Sequence, residues 1–506
     1  MSVRWTLMAV SAMLAVVCVF MICDADGSDA DPASGQCGDN LYWSMSGGCA
    51  TFTGSGDMWD YTPDMVRGWK ACSSVILPNG LTKIGELAFS NCLSLESVTI
   101  GNSVTSIGDG AFSNCISLES VTIPDSVTSI GETAFYGCSS LASVTIPDSV
   151  TSIGETAFYG CSSLESVTIP DSVTSIGYKA FAVCTSLVSI IVDEGNENYS
   201  SEDGVLFNKN KSMLVQCPGG KEGGYSIPAS VTSIGNRAFY VCPSLASVTI
   251  PDSVTFIGEN AFSDCTSLAS VIIGNSVTSI RDYAFWNCTS LASVTIGNSV
   301  TSIGENAFEY CTSLASVTIP DSVTSIRDYA FEYCTSLASV TIPDSVTSIA
   351  NGAFYLCYNL SEVNVVCSNP LNITEGETSN GHVAYYASNV NLYHTYSATY
   401  TWAEDGSTCT VDIACSHGDT ENHKEHPEVA HTVKIPPTET EMGTTAYSVS
   451  GTYDGFTYSD TKDVQDIPPT GKPGGSNDNT LLYIAAGGAI AAIALIGGAF
   501  FLLRKR

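Results

Sequence analysis

Eleven cysteines recur at a fixed interval of 23 residues, and this interval constrains the fold more than any other feature of the chain. They fall in two runs, at positions 92, 115, 138, 161 and 184 and at positions 242, 265, 288, 311, 334 and 357. The segment from Cys138 to Gly160, CSSLASVTIPDSVTSIGETAFYG, returns almost unchanged from Cys161 to Val183. A fixed period of roughly 20 to 50 residues is typical of a repeat solenoid, in which each unit buries its apolar face only against its neighbours. The interval therefore predicts a repeat solenoid.

Within one unit, apolar and polar residues alternate as they do in a half-buried strand. Val144 and Ile146 are expected to point inward, and Ser143 and Thr145 to face solvent. Residues 155–160 are predicted to form a short helical turn that drives an Ala-Phe pair into the core. Each rung would then contribute Leu, Val, Ile, Ala, Phe and Cys side chains to one continuous interior.

The two ends of the chain carry patterns typical of a signal peptide and of a membrane anchor. Arg4 precedes an apolar run over residues 7–22, followed by small and acidic residues. This pattern indicates a signal peptide over residues 1–30, with an uncleaved anchor as the alternative. Residues 481–503 carry no charge and are long enough to cross a hydrocarbon core of ~30 Å as a transmembrane helix. The basic tail 504–506 follows at once, so the positive-inside rule predicts a single-pass cell-membrane protein with an extracellular N-terminal region.

The composition is strongly acidic, with 51 Asp and Glu against 18 Lys and Arg and a net charge of −33. Nucleic-acid binding needs clusters of Lys and Arg that the sequence lacks, so nucleic acid is excluded as a partner. No Asp-x-Asp-x-Asp-Gly calcium loop occurs either. The charge is therefore expected to serve solubility.

The repeat consensus, C-x-S-L-x-S-V-T-I-P-D-S-V-T-S-I-G-x-x-A-F-x-x, resembles the BspA-type leucine-rich repeat of surface proteins in bacteria, archaea and some protists. The resemblance covers about residues 72–367, where the Ala-Phe pair occurs 11 times. It implies a right-handed, curved leucine-rich repeat solenoid of parallel β rungs, and a role in adhesion or recognition. The segments that begin at Cys37 and Met58 (CGDN and MWDY) also resemble the cap that commonly precedes such arrays.

The rest of the chain divides around this array. Residues 31–71 are predicted to form a β-hairpin cap, since the first rung would otherwise expose its interior; a ligand site is the alternative. Residues 368–395 are expected to form a C-terminal cap or linker. Alternating residues predict a small all-β module over 396–467, and Pro and Gly predict a flexible stalk over 468–480.

The 23-residue period breaks once, between Cys184 and Cys242, which are 58 residues apart. Residues 203–209 are predicted to form a hairpin-like insert within two irregular rungs. The alternative is a projecting acidic loop that contacts a partner.

The repeat cysteines are predicted to be buried thiols, because parallel stacked Cβ vectors give poor disulfide geometry. Two disulfides are predicted outside the repeats, Cys37 with Cys49 and Cys409 with Cys415. The second pair lies near four histidines, His417, His423, His426 and His431. Because the spacing lacks the paired Cys-x-x-Cys ligands of common zinc sites, we expect no metal there.

The sequence offers no catalytic motif. Neither a Gly-x-Ser-x-Gly elbow nor a phosphate-binding Gly-Lys-Ser/Thr loop occurs. We therefore expect no enzymatic activity and no cofactor.

Variation between rungs concentrates at the two residue pairs that flank Ala-Phe. If both pairs project, they form an aromatic stripe suited to binding, since aromatic residues are enriched at interfaces; burial against the next rung is the alternative. The candidate binding residues are Tyr136, Tyr159, Tyr178, Tyr240, Tyr283, Trp286, Tyr310, Tyr329, Tyr333 and Tyr355. A flat ladder of serine and threonine on the strand face is a second candidate surface.

These features favour a membrane-anchored adhesin whose solenoid binds extracellular proteins or glycans. One alternative is a structural envelope scaffold without a specific ligand. Another is a sortase-type wall-anchored protein, because Ile467-Pro468-Pro469-Thr470-Gly471 resembles a wall-sorting signal with isoleucine in place of leucine.

Overall fold

The computed structural model describes two compact units. The described residues are 34–65, 68–366, 370–393, 396–415, 423–425, 427–437, 441–453 and 456–467. Where described, residues 34–340, 345–362 and 373–388 form the larger unit, and residues 341–344, 363–372 and 389–467 form the smaller one. Among the described residues, no helix is both long and apolar enough to cross a membrane. The predicted signal peptide, stalk, transmembrane helix and basic tail lie outside the described residues.

Each rung contributes two short strands, which build two parallel stacks. Val144 pairs with Val121 in the first stack, and Ile153 pairs with Ile130 in the second. The first strands are Ser74–Ile76, Ser97–Thr99, Ser120–Thr122, Ser143–Thr145, Ser166–Ile169, Ser189–Val192, Gly223–Ser226, Leu245–Thr249, Ser270–Ile272, Ser293–Thr295, Ser316–Thr318, Ser339–Ile342 and Glu362–Val366. The second strands are Leu81–Ile84, Ser106–Ile107, Ser129–Ile130, Ser152–Ile153, Ser175–Ile176, Ser233–Ile234, Phe256–Ile257, Ser279–Ile280, Ser302–Ile303, Ser325–Ile326 and Ser348–Ile349. The predicted parallel-strand solenoid is confirmed.

The interior of the solenoid is a set of identical columns. Val144, Ile146 and Phe158 are buried as predicted. The phenylalanine rings stack face to face, with the centroids of Phe112 and Phe135 5.3 Å apart and their planes 6° from parallel. This separation is close to the ~4.8 Å between neighbouring strands, so each ring lies directly over its equivalent in the next rung. The 23-residue period therefore sets both the strand register and the core packing.

The predicted helical turns are wrong, because the segment after each second strand is a series of β-turns. The N–H of Tyr136 bonds to the carbonyl of Thr133 over 3.0 Å, three residues earlier in the same rung. The N–H of Phe135 bonds instead to the carbonyl of Ala157 in the next rung, over 2.7 Å. Thr133 and Gly137 have positive φ angles of 51° and 68°, which a right-handed helix does not contain. Since alternate N–H groups bond to the next rung, no helical hydrogen-bond ladder forms.

The N-terminal segment is a three-stranded antiparallel meander that begins both stacks. Its third strand pairs in parallel with Ser74–Ile76 and with Leu81–Ile84. Phe52 packs edge to face against Phe89, the first ring of the phenylalanine column, with centroids 5.6 Å apart. The meander thus covers the end of the column, as a cap would. Its strands are Ser34–Gly38, Asn40–Ser46 and Cys49–Asp57.

The interruption forms the predicted hairpin, but the hairpin belongs to the core. Its strands are Tyr199–Glu202, Val205–Asn208 and Met213–Gln216. The first two pair antiparallel, and the third joins the second stack in parallel with Ser233–Ile234. Val205, Leu206 and Phe207 are fully buried, because they replace the interior of a regular rung. The alternative of a wholly projecting loop does not hold.

The larger unit continues beyond the last Ala-Phe pair. Within the predicted linker 368–395, residues 373–388 belong to this unit and include a short 3-10 helix, Asn380–His382. The N–H of Phe354 bonds to the carbonyl of Gly381 over 2.8 Å, which provides the partner that a further rung would supply.

The smaller unit is built of β-strands, as predicted for residues 396–467. Its two three-stranded sheets are antiparallel. Val411, Ile413 and Tyr458 lie in its small apolar core. The strands are Asn389–Tyr393, Tyr396–Trp402, Cys409–Cys415, His423–Glu425, Ala430–Ile435, Gly443–Tyr453 and Phe456–Ile467, of which the first lies outside these two sheets.

Candidate functional site

The two residues before and the two after each Ala-Phe pair form one edge of the solenoid, which we call the turn edge. All ten predicted aromatic residues lie on it, and none is fully buried. Tyr178, Tyr283 and Tyr355 are exposed, at 40%, 37% and 39%. The other seven are partly buried: Tyr136, Tyr159, Tyr240, Trp286, Tyr310, Tyr329 and Tyr333.

Several of these rings pack against one another across rungs. The centroids of Tyr136 and Tyr159 are 5.1 Å apart, with planes 2° from parallel. Tyr310 and Tyr333 stack with centroids 4.7 Å apart, and Trp286 meets Tyr310 edge-on at 6.1 Å. The aromatic stripe is therefore neither fully projecting nor fully buried. Each stacked ring buries one face against its neighbour and keeps part of its surface in solvent.

A buried carboxylate lies beside the second group of rings, which contains Trp286, Tyr310 and Tyr333. The Nε1 of Trp286 donates a hydrogen bond of 2.9 Å to Oε2 of Glu309, and the amide of Asn306 donates to the same oxygen. Burial raises the pKa of Glu309, although these two donors oppose the shift. Burial, followed by the charge of Glu309, also raises the pKa of Glu332 in the next rung. The turn edge thus holds two partly desolvated acids beside its aromatic rings.

Two cations that the sequence did not single out join the aromatic residues at the interruption. The Nη1 of Arg237 donates a hydrogen bond of 2.6 Å to the hydroxyl of Tyr178, 59 residues earlier. Its guanidinium carbon lies 5.6 Å from the ring centroid of Tyr178 and 5.7 Å from that of Tyr240. The Nζ of Lys179 is 4.9 Å from the ring of Tyr178. A signal was present in the sequence, since both cations occupy the position directly before Ala-Phe.

A further aromatic group at the C-terminal end of the larger unit was also missed. The rings of Tyr355 and His382 are 5.2 Å apart, and those of Tyr358 and Tyr386 are 5.4 Å apart. Tyr385 and Tyr386 meet edge to face at 4.8 Å. Four of these five residues lie beyond the last Ala-Phe turn, where the repeat pattern gives no guide to which side chains are brought together.

The predicted disulfide between Cys37 and Cys49 is absent, and both residues are buried thiols. Cys49 begins the third strand of the cap, whereas the carbonyl of Cys37 accepts a hydrogen bond from Trp59, beyond the far end of that strand. Nine extended residues span roughly 25 Å, far more than the ~7 Å that a disulfide tolerates between Cα atoms. The turn that links these cysteines in sequence does not bring them together.

The predicted disulfide between Cys409 and Cys415 is also wrong. Both residues lie in one continuous strand, Cys409–Cys415, at its two ends. Six extended steps separate their Cα atoms by about 20 Å, too far for a bond. Across the described residues, no three His, Cys, Asp or Glu side chains are grouped closely enough to hold a metal ion; His417 and His426 lie outside that set.

Comparison with known proteins finds a family and solved structures that this architecture resembles. The family described as BspA type leucine-rich repeat region (6 copies) matches residues 68–188, 224–338 and 278–379, which together exceed half of the chain. A leucine-rich repeat protein from Eubacterium ventriosum is similar over 70% of this chain and 100% of its own, with 27% identity and a TM-score of 0.58. A leucine rich cell surface protein from Faecalibacterium prausnitzii matches over 72% of this chain and 100% of its own, with 29% identity and a TM-score of 0.47.

No curated protein matches the chain. The family match covers the repeats whose strands, phenylalanine column and turns are described above. This chain therefore belongs to the BspA-type leucine-rich repeat family.

Proposed function

We propose that this protein is an adhesin, held in the cell membrane by a single C-terminal span, whose extracellular solenoid binds proteins or glycans through the turn edge. The observation that carries the proposal is the set of ten aromatic side chains on one edge, three of them exposed and seven partly buried. The location rests on the apolar segment 481–503 and the basic tail after it. The proposal assigns the protein no catalysis, no cofactor and no nucleic-acid partner.

The packing of these rings supports a binding role. Tyr136 stacks on Tyr159, and Tyr310 stacks on Tyr333, so each ring is held in place before a ligand arrives. A side chain that is already ordered loses less conformational entropy on binding, which increases affinity. Tyrosine also combines an apolar face with a hydroxyl that can donate or accept a hydrogen bond.

The strand face is a weaker candidate. Its outward residues, such as Ser143 and Thr145, are exposed but short. Serine and threonine are under-represented among residues that dominate binding energy, because they bury little apolar surface. We therefore place the main contact on the turn edge.

The test is a binding screen of the full chain against extracellular matrix proteins and glycans. One variant replaces Tyr136, Tyr283, Tyr333 and Tyr355 by Ser, and a control replaces Ser143 and Thr145 by Ala. We expect saturable binding that weakens at least about tenfold in the first variant and is unchanged in the control.

Two results would contradict the proposal. If no ligand binds saturably, the structural scaffold is the better description. If binding persists without the four tyrosines, the turn edge is not the contact surface. Separately, an antibody against the C-terminal tail should detect it in the membrane fraction, and its absence there would favour wall sorting.

A further inference from the structure

The charge of the turn edge reverses locally at the interruption. The position two residues before Ala-Phe holds a carboxylate in eight rungs: Glu86, Asp109, Glu132, Glu155, Glu259, Asp282, Glu305 and Asp328. In the two rungs that flank the interruption, the same position holds Tyr178 and Asn236. The following position in these rungs holds Lys179 and Arg237, and no other Ala-Phe pair is preceded by a cation. A short positive segment therefore divides an acidic edge.

These two cations also lack a carboxylate partner among the described residues. In the part of the chain that the structure describes, five cations form ion pairs: Lys83, Lys211, Arg281, Arg327 and Lys434. There, no carboxylate lies within the 4.0 Å ion-pair distance of Lys179 or Arg237. Burial, and then the charge of Arg237, lower the pKa of Lys179, while the charge of Glu155 opposes the shift. A bound anion would relieve this repulsion between the two cations.

Four tyrosines lie around the two cations, and each contacts another of the four or Arg237. Tyr159 stacks on Tyr136 and interacts through its hydroxyl with Tyr240. The guanidinium of Arg237 lies within 6 Å of both the Tyr178 and the Tyr240 rings, at 5.6 and 5.7 Å. Its single hydrogen bond to the Tyr178 hydroxyl uses one of five N–H donors. The arginine is therefore positioned by aromatic contacts and retains donors for a second acceptor.

We propose that this cluster of Tyr136, Tyr159, Tyr178, Lys179, Arg237 and Tyr240, which we call the tyrosine–cation cluster, binds a terminal acidic sugar. The sugar carboxylate would accept hydrogen bonds from Arg237 and Lys179, since a guanidinium pairs well with a carboxylate. The apolar C–H face of the sugar ring would pack on the tyrosine rings. The inference rests on the proposed function and names the ligand class of one part of the turn edge.

The surrounding charge explains why a terminal sugar fits better than a long polyanion. Glu132 and Glu155 occupy the same turns as Tyr136 and Tyr159, and Glu259 and Asp282 occupy the two turns that follow that of Arg237. A polyanion that extended along the edge would meet these carboxylates and be repelled. A single acidic residue at the end of a glycan reaches both cations without contacting them.

Calorimetric titration of the full chain with three defined sugars tests the inference. The probes are sialyllactose, a glucuronic acid disaccharide and neutral lactose. We expect at least one acidic probe to bind about tenfold more tightly than lactose and to weaken with added salt. Arg237→Gln and Lys179→Gln should each reduce that affinity about tenfold or more, since each removes a charge-assisted hydrogen bond. Arg281→Gln, which removes a cation already paired with Glu259 at 2.9 Å, should change it less than about twofold.

The inference is overturned if lactose binds as tightly as the acidic probes, if neither acidic probe binds, or if both cation variants retain full affinity. Because the two variants act independently, misfolding of one, visible as a lost melting transition, leaves the other as the test. The four-tyrosine variant in the partner screen keeps Arg237 and Lys179 and alters only Tyr136 of the cluster. A failure of the acidic sugars together with a positive partner screen would therefore reject the cluster and leave the adhesin proposal standing.

Discussion

The Sγ of Cys138 donates a hydrogen bond of 3.1 Å to the backbone carbonyl of Phe112, in the preceding rung. Equivalent contacts recur in rungs on both sides of the interruption, for example from Cys288 to Phe262 at 3.1 Å. The carbonyl of Phe112 also accepts a hydrogen bond from the N–H of Cys115 in its own rung. The recurrent cysteine therefore has two roles: it packs in the core, and its thiol forms a hydrogen bond to the preceding rung.

Replacing Cys138 by Ala should lower the free energy of unfolding by about 1–2 kcal/mol. The change removes a buried sulfur atom and its weak hydrogen bond from a fully buried site. Chemical denaturation of the variant and the wild type measures the difference. Ser139→Ala, at the next and partly exposed position, is the control and should have little effect. If Cys138→Ala and Ser139→Ala have the same free energy of unfolding, the thiol contact contributes nothing to stability.

The repeat thiols should resist alkylation while the protein is folded. Burial raises the pKa of Cys138 and Cys357 to about 12, so the reactive thiolate is scarce at neutral pH. We expect iodoacetamide to modify these residues only after denaturant is added, as read by peptide mass spectrometry. Rapid modification of most repeat cysteines in the native protein would contradict the buried column.

Glu309 should make stability depend on pH in a direction unusual for a carboxylate. Because burial raises its folded pKa above the unfolded value, its favourable contribution is complete below the unfolded pKa, about 4.3, and is lost as pH rises through the folded pKa. Glu309→Gln should therefore raise the melting temperature, relative to the wild type, more at pH 7 than at pH 4.

Thermal unfolding at these two pH values measures the effect, and Glu305→Gln on the same rung controls for the loss of one negative charge. A Glu309→Gln shift that is the same at both pH values, or larger at pH 4, would refute the assignment of Glu309 as a partly desolvated acid.

Val241 should be replaceable with a gain in stability. Its φ of 55° is in the left-handed region, where a β-branched side chain is strained. We expect Val241→Asn to raise the free energy of unfolding by about 1 kcal/mol, because asparagine tolerates this conformation better. Val188→Asn, at an exposed valine without a positive φ, should change stability by less than about 0.5 kcal/mol. A loss of stability in Val241→Asn would mean that the valine packing outweighs the strain.

The core could be read from the repeat, but the disulfides and turns could not. Alternation identified Val144 and Ile146 as inward-facing, and both are buried. The Cys37 and Cys49 prediction failed because nearness in sequence says little about separation across a long strand. The helical turns failed because the pattern does not show that Phe135 bonds to Ala157 in the next rung.

The candidate site could likewise be predicted only in part. Repeat variation was enough to place all ten aromatic residues on one edge, because every rung presents equivalent positions to the same side. Which of them meet a cation depended on the folded interruption. There the insert supplies core residues such as Phe207 but no Ala-Phe turn, so Arg237 reaches Tyr178 across 59 residues of chain. A period specifies contacts between equivalent positions, whereas a contact across its one break arises only when the chain has packed.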